Sequence, residues 1–142
     1  MGMGLMNRHI LLTLLIFTYM GCFNIANAIE PINYNKSISV SLKYQINQFL
    51  NSKFDLDITS YEIASFDLNN DGIDEHILKS KPCSYGKSKC SHLIIAEKKE
   101  QIILLSKIKA TNLMIGGTVS HGIKDILAFK NHINDYDFDI YM

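Results

Sequence analysis

An α+β domain is predicted: an N-terminal amphipathic helix packed on a mostly antiparallel sheet of about five to six strands. Three observations predict it. One helical stripe precedes a series of short apolar runs, and no second helical stripe follows it. Those runs are separated by short turn signals, which suits antiparallel pairing better than helical crossovers. An Asp/Asn/Gly turn lies between two of them, so that pair reads as a hairpin.

The first 28 residues are set apart from this domain. Arg8 supplies a positive start, residues 10–20 form an apolar run too short to span a bilayer, and Ala26-Asn27-Ala28 is a small-x-small cleavage site. Cleavage at Ala28 leaves residues 29–142 as one exported domain, periplasmic or secreted, with no membrane span. A start at Met6 instead of Met1 leaves a more usual signal peptide. Lipidation at Cys22, after Tyr19-Met20-Gly21, is the alternative, although Tyr19 stands where such sites usually carry leucine. Residues 29–142 suffice for one modest core and not for two. Arg8 is the only arginine, so the mature chain has 13 lysines against 14 carboxylates, a net charge of −1. A near-neutral chain without guanidinium groups is poorly suited to nucleic acid.

After an extended lead-in, residues 37–52 carry helical periodicity. Ile38, Leu42, Ile46, Phe49 and Leu50 recur at spacings of three and four, with Lys43, Asn47 and Gln48 between them. Ser37 or Ser39 can cap the start, and Val40 and Tyr44 fall off the stripe. Residues 60–67 read as a strand entering the Asp/Asn/Gly turn, and residues 75–80 as the strand leaving it. In the second of these, His76 and Leu78 share one face and Ile77 and Lys79 the other. Residues 93–97 and 102–108 follow as strands joined by Lys98-Lys99-Glu100. Residues 113–119 contain Gly116-Gly117, read as a bulge. Residues 124–129 and 138–141 complete the set, the last as an edge strand.

The turn itself, Asp67-Leu68-Asn69-Asn70-Asp71-Gly72-Ile73-Asp74-Glu75, has the front half of a calcium loop. Asp67, Asn69 and Asp71 supply oxygens, Gly72 permits the sharp bend, and the Ile73 carbonyl and Glu75 complete a shell. Leu78 stands where an EF-hand has its bidentate glutamate, so any calcium site is weak, in the roughly 10⁻⁴–10⁻³ M class. The alternative is a tight turn in which Asp and Asn cap their own backbone.

Once Cys22 is removed, Cys83 and Cys90 remain, an even number in an exported chain, and they read as one disulfide. A zinc site needs more ligands than the neighbouring His76 and His92. The enclosed loop carries Tyr85, Lys87 and Lys89, with Lys79 and Lys81 just before it. Those three loop residues are the candidate partner-binding set, since a closed loop loses less entropy on binding. The alternative is a solvated basic turn.

The order of features resembles a group of small exported bacterial proteins. They have an acidic turn of the FG-GAP/VCBS type, here Asp67 to Glu75, followed by a short Cys-to-Cys loop, here Cys83 to Cys90. A later Gly-x-Lys-Asp segment corresponds to Gly122-Ile123-Lys124-Asp125. The loop here is longer than the usual Cys-Gly-Ser-Gly-Gly-Cys, and Ile123 replaces a usual tryptophan. The resemblance implies a fold and an extracytoplasmic compartment more than an activity.

No catalytic constellation stands out. Asp74, Glu75 and His76 read as solvated hairpin residues. Residues 117–121 lack a nucleophile elbow, His121 and His132 read as surface residues, and paired cysteines are not nucleophiles. The expected function is a small exported binding protein, of the inhibitor or immunity type, acting on a cell-envelope enzyme through its disulfide loop. The alternatives are a calcium-scaffolded cell-envelope hydrolase and a structural envelope protein.

Overall fold

The computed structural model of the chain describes residues 28–81, 83, 89–130 and 138–141. The signal-peptide and Cys22 readings lie outside the described residues, as do Tyr85, Lys87 and His132.

A two-residue strand, β1 (Glu30–Pro31), comes first, and the helix α1 (Val40–Phe54) follows it. After a 3₁₀ turn at Ile58–Ser60 come β2 (Tyr61–Phe66), β3 (Glu75–Ser80), β4 (Cys90–Lys98) and β5 (Gln101–Ala110). β6 (Asn112–Ser120), β7 (Ile123–Phe129) and β8 (Phe138–Tyr141) end the chain. One sheet has the order β2-β3-β4-β5 and the other β1-β6-β7-β8, antiparallel throughout.

The α+β expectation is therefore corrected. Among the described residues the protein is mostly β, with eight strands in two sheets instead of five to six in one, and the helix is not N-terminal because β1 precedes it. The physical reason lies in β3 and β4, where successive residues are buried on both faces. Ile77 and Ile94 join a core shared with Leu113, Ile115 and Ile126 of the second sheet. Leu78, Leu93 and Ile95 join a core with Ile46 and Leu50 of α1. A sheet buried on both faces needs two covering layers, and the helix supplies only one. The second sheet supplies the other. Its chain leaves the first sheet through the single residue Thr111, whose N–H is bonded to the Phe129 carbonyl at 2.8 Å.

The helix forms where the stripe predicts. Ser39 caps it by accepting from the Leu42 N–H at 3.1 Å. It ends at Asp55 in the left-handed region, with the Leu56 N–H returning to the Leu50 carbonyl. Ile46 and Leu50 are fully buried against the sheet, each worth about 1.5–3 kcal/mol, whereas Val40 and Tyr44 point to solvent. The hairpin also forms: β2 and β3 pair from Tyr61↔Ser80 to Phe66↔Glu75, which puts residues 67–74 at its tip. The Gly116-Gly117 irregularity is present, as the β6–β7 register shifts between Ile115 and Val119. A Cβ at Gly116 would meet the Asp125 carbonyl oxygen at 3.1 Å, so a side chain there would require the facing strand to give by a few tenths of an ångström.

Candidate functional site

Two loops flank β3, the acidic loop before it and the cysteine loop after it. In the acidic loop the side chains of Asp67, Asn69, Asp71 and Glu75 are all engaged by the loop itself. Asp67 accepts from the Asp71 and Gly72 N–H groups at 3.1 and 2.9 Å. Asn69 Oδ1 accepts from the Asp71 N–H at 2.9 Å, and Asp71 Oδ1 from the Ile73 N–H at 2.8 Å. Gly72, at φ +85°, makes the reversal that these bonds close. Glu75 is buried; its Oε2 accepts from the Leu68 N–H at 2.8 Å and its Oε1 from the Asn69 amide at 3.1 Å. The same amide donates to Asp71 Oδ2 at 2.9 Å.

The oxygen chemistry of Asp67, Asn69, Asp71 and Glu75 suits a hard divalent cation. Their placement does not: among the described residues no three Asp, Glu, His or Cys side chains stand together as a metal-holding group. The Asn69 amide sits where a cation would bridge Asp71 and Glu75. Burial raises the Glu75 pKa, and the Asp71 and Asp67 charges raise it further. No ion pair is found at Asp67, Asp71 or Glu75 among the described residues; Asp74, by contrast, is paired with Lys36 at 2.5 Å.

Reading Glu75 and His76 as solvated is also overturned, since both are buried. His76 faces Ser65 across the β2–β3 pair, and its Nδ1 lies 2.8 Å from Ser65 Oγ. Burial lowers the His76 pKa, and the Asp74 carboxylate offsets this in part. Serine and histidine thus come together on neighbouring strands, where Ser65 is 8% exposed, while Asp74 is half-buried in the loop and paired with Lys36. The pair satisfies two buried polar groups. Residue spacing within β2 and β3 was the only signal for Ser65, and it depended on a register that the sequence leaves unspecified.

At the other end of β3 the structure has the Cys83–Cys90 disulfide. Cys90 is buried at the start of β4, while Lys81 and Lys89 are exposed beside the loop ends. Lys79 is not part of that exposed set: it is 4% exposed, lies 3.7 Å from Glu62 and stands 5.2 Å from the centre of the Tyr34 ring. His92, next to it on β4, is fully buried, and neither ring nitrogen has a hydrogen-bond partner. Burial pushes its pKa down to about 4, with the Lys79 charge adding to the effect and the Cys90 and Ile108 backbone groups only partly opposing it. His92 shares the face of Ile94, and His76 that of Ile95. The two histidines therefore lie on opposite faces of the sheet and cannot share a zinc ion.

Asp125, in the Gly-x-Lys-Asp segment, is buried opposite the β6 irregularity. Its carboxylate is bonded to the Thr118 hydroxyl, and the Thr118 and Ser120 hydroxyls hold its pKa below the usual range. In the neighbouring residue, the Lys124 N–H donates to the Leu68 carbonyl at 2.7 Å, beside the acidic loop.

Compared with family profiles, curated proteins and solved structures, the chain matches none. No helix among the described residues is long and apolar enough to cross a membrane.

Proposed function

We propose that this chain is an exported, non-catalytic binding domain. It recognises another envelope or secreted protein through the loop closed by Cys83 and Cys90, as an inhibitor or immunity-type protein would. One observation carries this reading. The bridge closes a loop between β3 and β4, the two central strands of a sheet buried on both faces, and its Cys90 end is set in the core. A recognition element with its ends fixed on such a base loses less entropy on binding. Lys89 and the loop residues Tyr85 and Lys87 are the proposed contacts. The hydrolase alternative has less support, because Ser65 and His76, its best pair, are buried.

The test is charge reversal. Lys87→Glu with Lys89→Glu should leave the melting temperature unchanged and abolish retention of a discrete envelope protein by the immobilised domain. Retention that survives the reversal would remove the loop from the function.

Weak calcium binding at the acidic loop is a second reading, of the kind implied by an FG-GAP/VCBS-type turn. It is favoured by the Glu75 carboxyl, buried and raised by two neighbouring carboxylates with no cation paired to them. Binding requires Asn69 to turn its amide nitrogen away from Asp71 and Glu75. At ten times its Kd, calcium would add about 1.4 kcal/mol to stability. Asp71→Asn keeps an acceptor for the Ile73 N–H while removing the charge, and it should erase that gain. A melt that responds equally to magnesium and calcium would leave the loop as a turn alone.

A further inference from the structure

One open groove on the described surface belongs to neither loop. It lies between α1 and the start of β5 and has a volume of about 740 Å³, within the usual range for small-molecule sites. Its walls are carboxamides. Gln45, Gln48 and Asn51 come from the helix, where successive spacings of three bring them to adjoining positions, and Gln101 comes from β5. Phe49 and Ile102 supply the apolar surface between them. Glu100 is the one formal charge in the lining. It sits in the two-residue turn Lys99-Glu100, where both residues are left-handed, at φ 51° and 61°. Such a turn holds the β5 wall in a fixed place relative to β4.

The chemistry of these walls selects a ligand class. A carboxamide both donates and accepts, as does a hydroxyl. No cation lines the groove to hold an anion, and a single carboxylate is little for a polycation. Within the wall Gln45 Oε1 is buried with no donor bonded to it, so this side chain gains a hydrogen bond if it turns outward to meet a ligand hydroxyl. Carboxamides flanking an aromatic ring and an aliphatic side chain match the polar rim and C–H face of a sugar. We propose that this groove binds a neutral oligosaccharide. The site is independent of the loop proposal: it opens where β4 turns into β5, and Cys90 is at the far end of nine-residue β4, roughly 25 Å away.

The test is a titration of the isotope-labelled chain, followed by NMR on its side-chain amides. The probes are chitotetraose, cellotetraose and maltotetraose, each up to about 10 mM, the range where weak complexes saturate. At least one should shift the Gln45, Gln48, Asn51 and Gln101 amide signals saturably. Gln48→Ala and Gln101→Ala should each weaken that binding roughly five-fold, the effect of one lost hydrogen bond. Both side chains are at the surface, so the melting temperature should not move. Three outcomes would overturn the proposal: no shift at these amides with any of the three sugars, equal affinity in both variants, or occupation of the groove by a protein that the sugars do not displace.

Discussion

Between pH 6.5 and about 4 the folded state should lose about 3 kcal/mol of stability through His92 alone. The sign follows from the two protonation equilibria. Unfolded, the imidazole titrates near 6.5; folded, it does so near 4, because its ring is fully buried beside the Lys79 ammonium. Above pH 6.5 it is neutral in both states and has no effect. As the pH falls, the unfolded chain takes up the proton first and is favoured. Below about 4 both states carry it and the loss is complete. His92→Leu should remove this component, since leucine fills a similar volume and takes up no proton. Urea unfolding at steps across this range measures it. His76, also shifted down, titrates in both proteins and cancels in the comparison. Parallel pH profiles for wild type and His92→Leu would show that His92 is solvated or paired in solution.

Opening the disulfide should cost about 2.5 kcal/mol, the loop-closure entropy of a ring with a sequence separation of 7. Cys83→Ser with Cys90→Ala tests it, alanine being chosen because Cys90 is buried. Reductant should lower the wild type to the level of the double variant and leave the variant unmoved. Wild-type stability that is insensitive to reductant would mean that the bridge does not constrain the unfolded chain.

Much of the local structure was legible because single elements encode it. The 38–50 stripe specifies a helix with one apolar face, and the Asp67–Glu75 turn chemistry specifies a hairpin whose strands pair as its ends predict. Two cysteines in one loop left few alternatives to a bridge. What could not be read was the number of layers. Alternation along β3 separates Ile77 and Lys79 from His76 and Leu78, but it does not say that both faces are dry. A lysine and two histidines on those faces give no local sign of a second covering layer. They are buried because Glu62 pairs with Lys79, Ser65 bonds to His76, and His92 stays neutral. Each of these depends on strand register or on the second sheet, which no local pattern contains.

Site-directed cross-linking distinguishes whether the loop between Cys83 and Cys90 is the recognition element. A photoreactive phenylalanine analogue is placed at Tyr85 in one protein and at Lys98, at the opposite end of the first sheet, in another. The expected result is one discrete cross-linked envelope or secreted protein from position 85, lost with Lys87→Glu and Lys89→Glu, and none from position 98. A partner captured from position 98 and not from position 85, or capture from 85 that ignores the charge reversal, would contradict it.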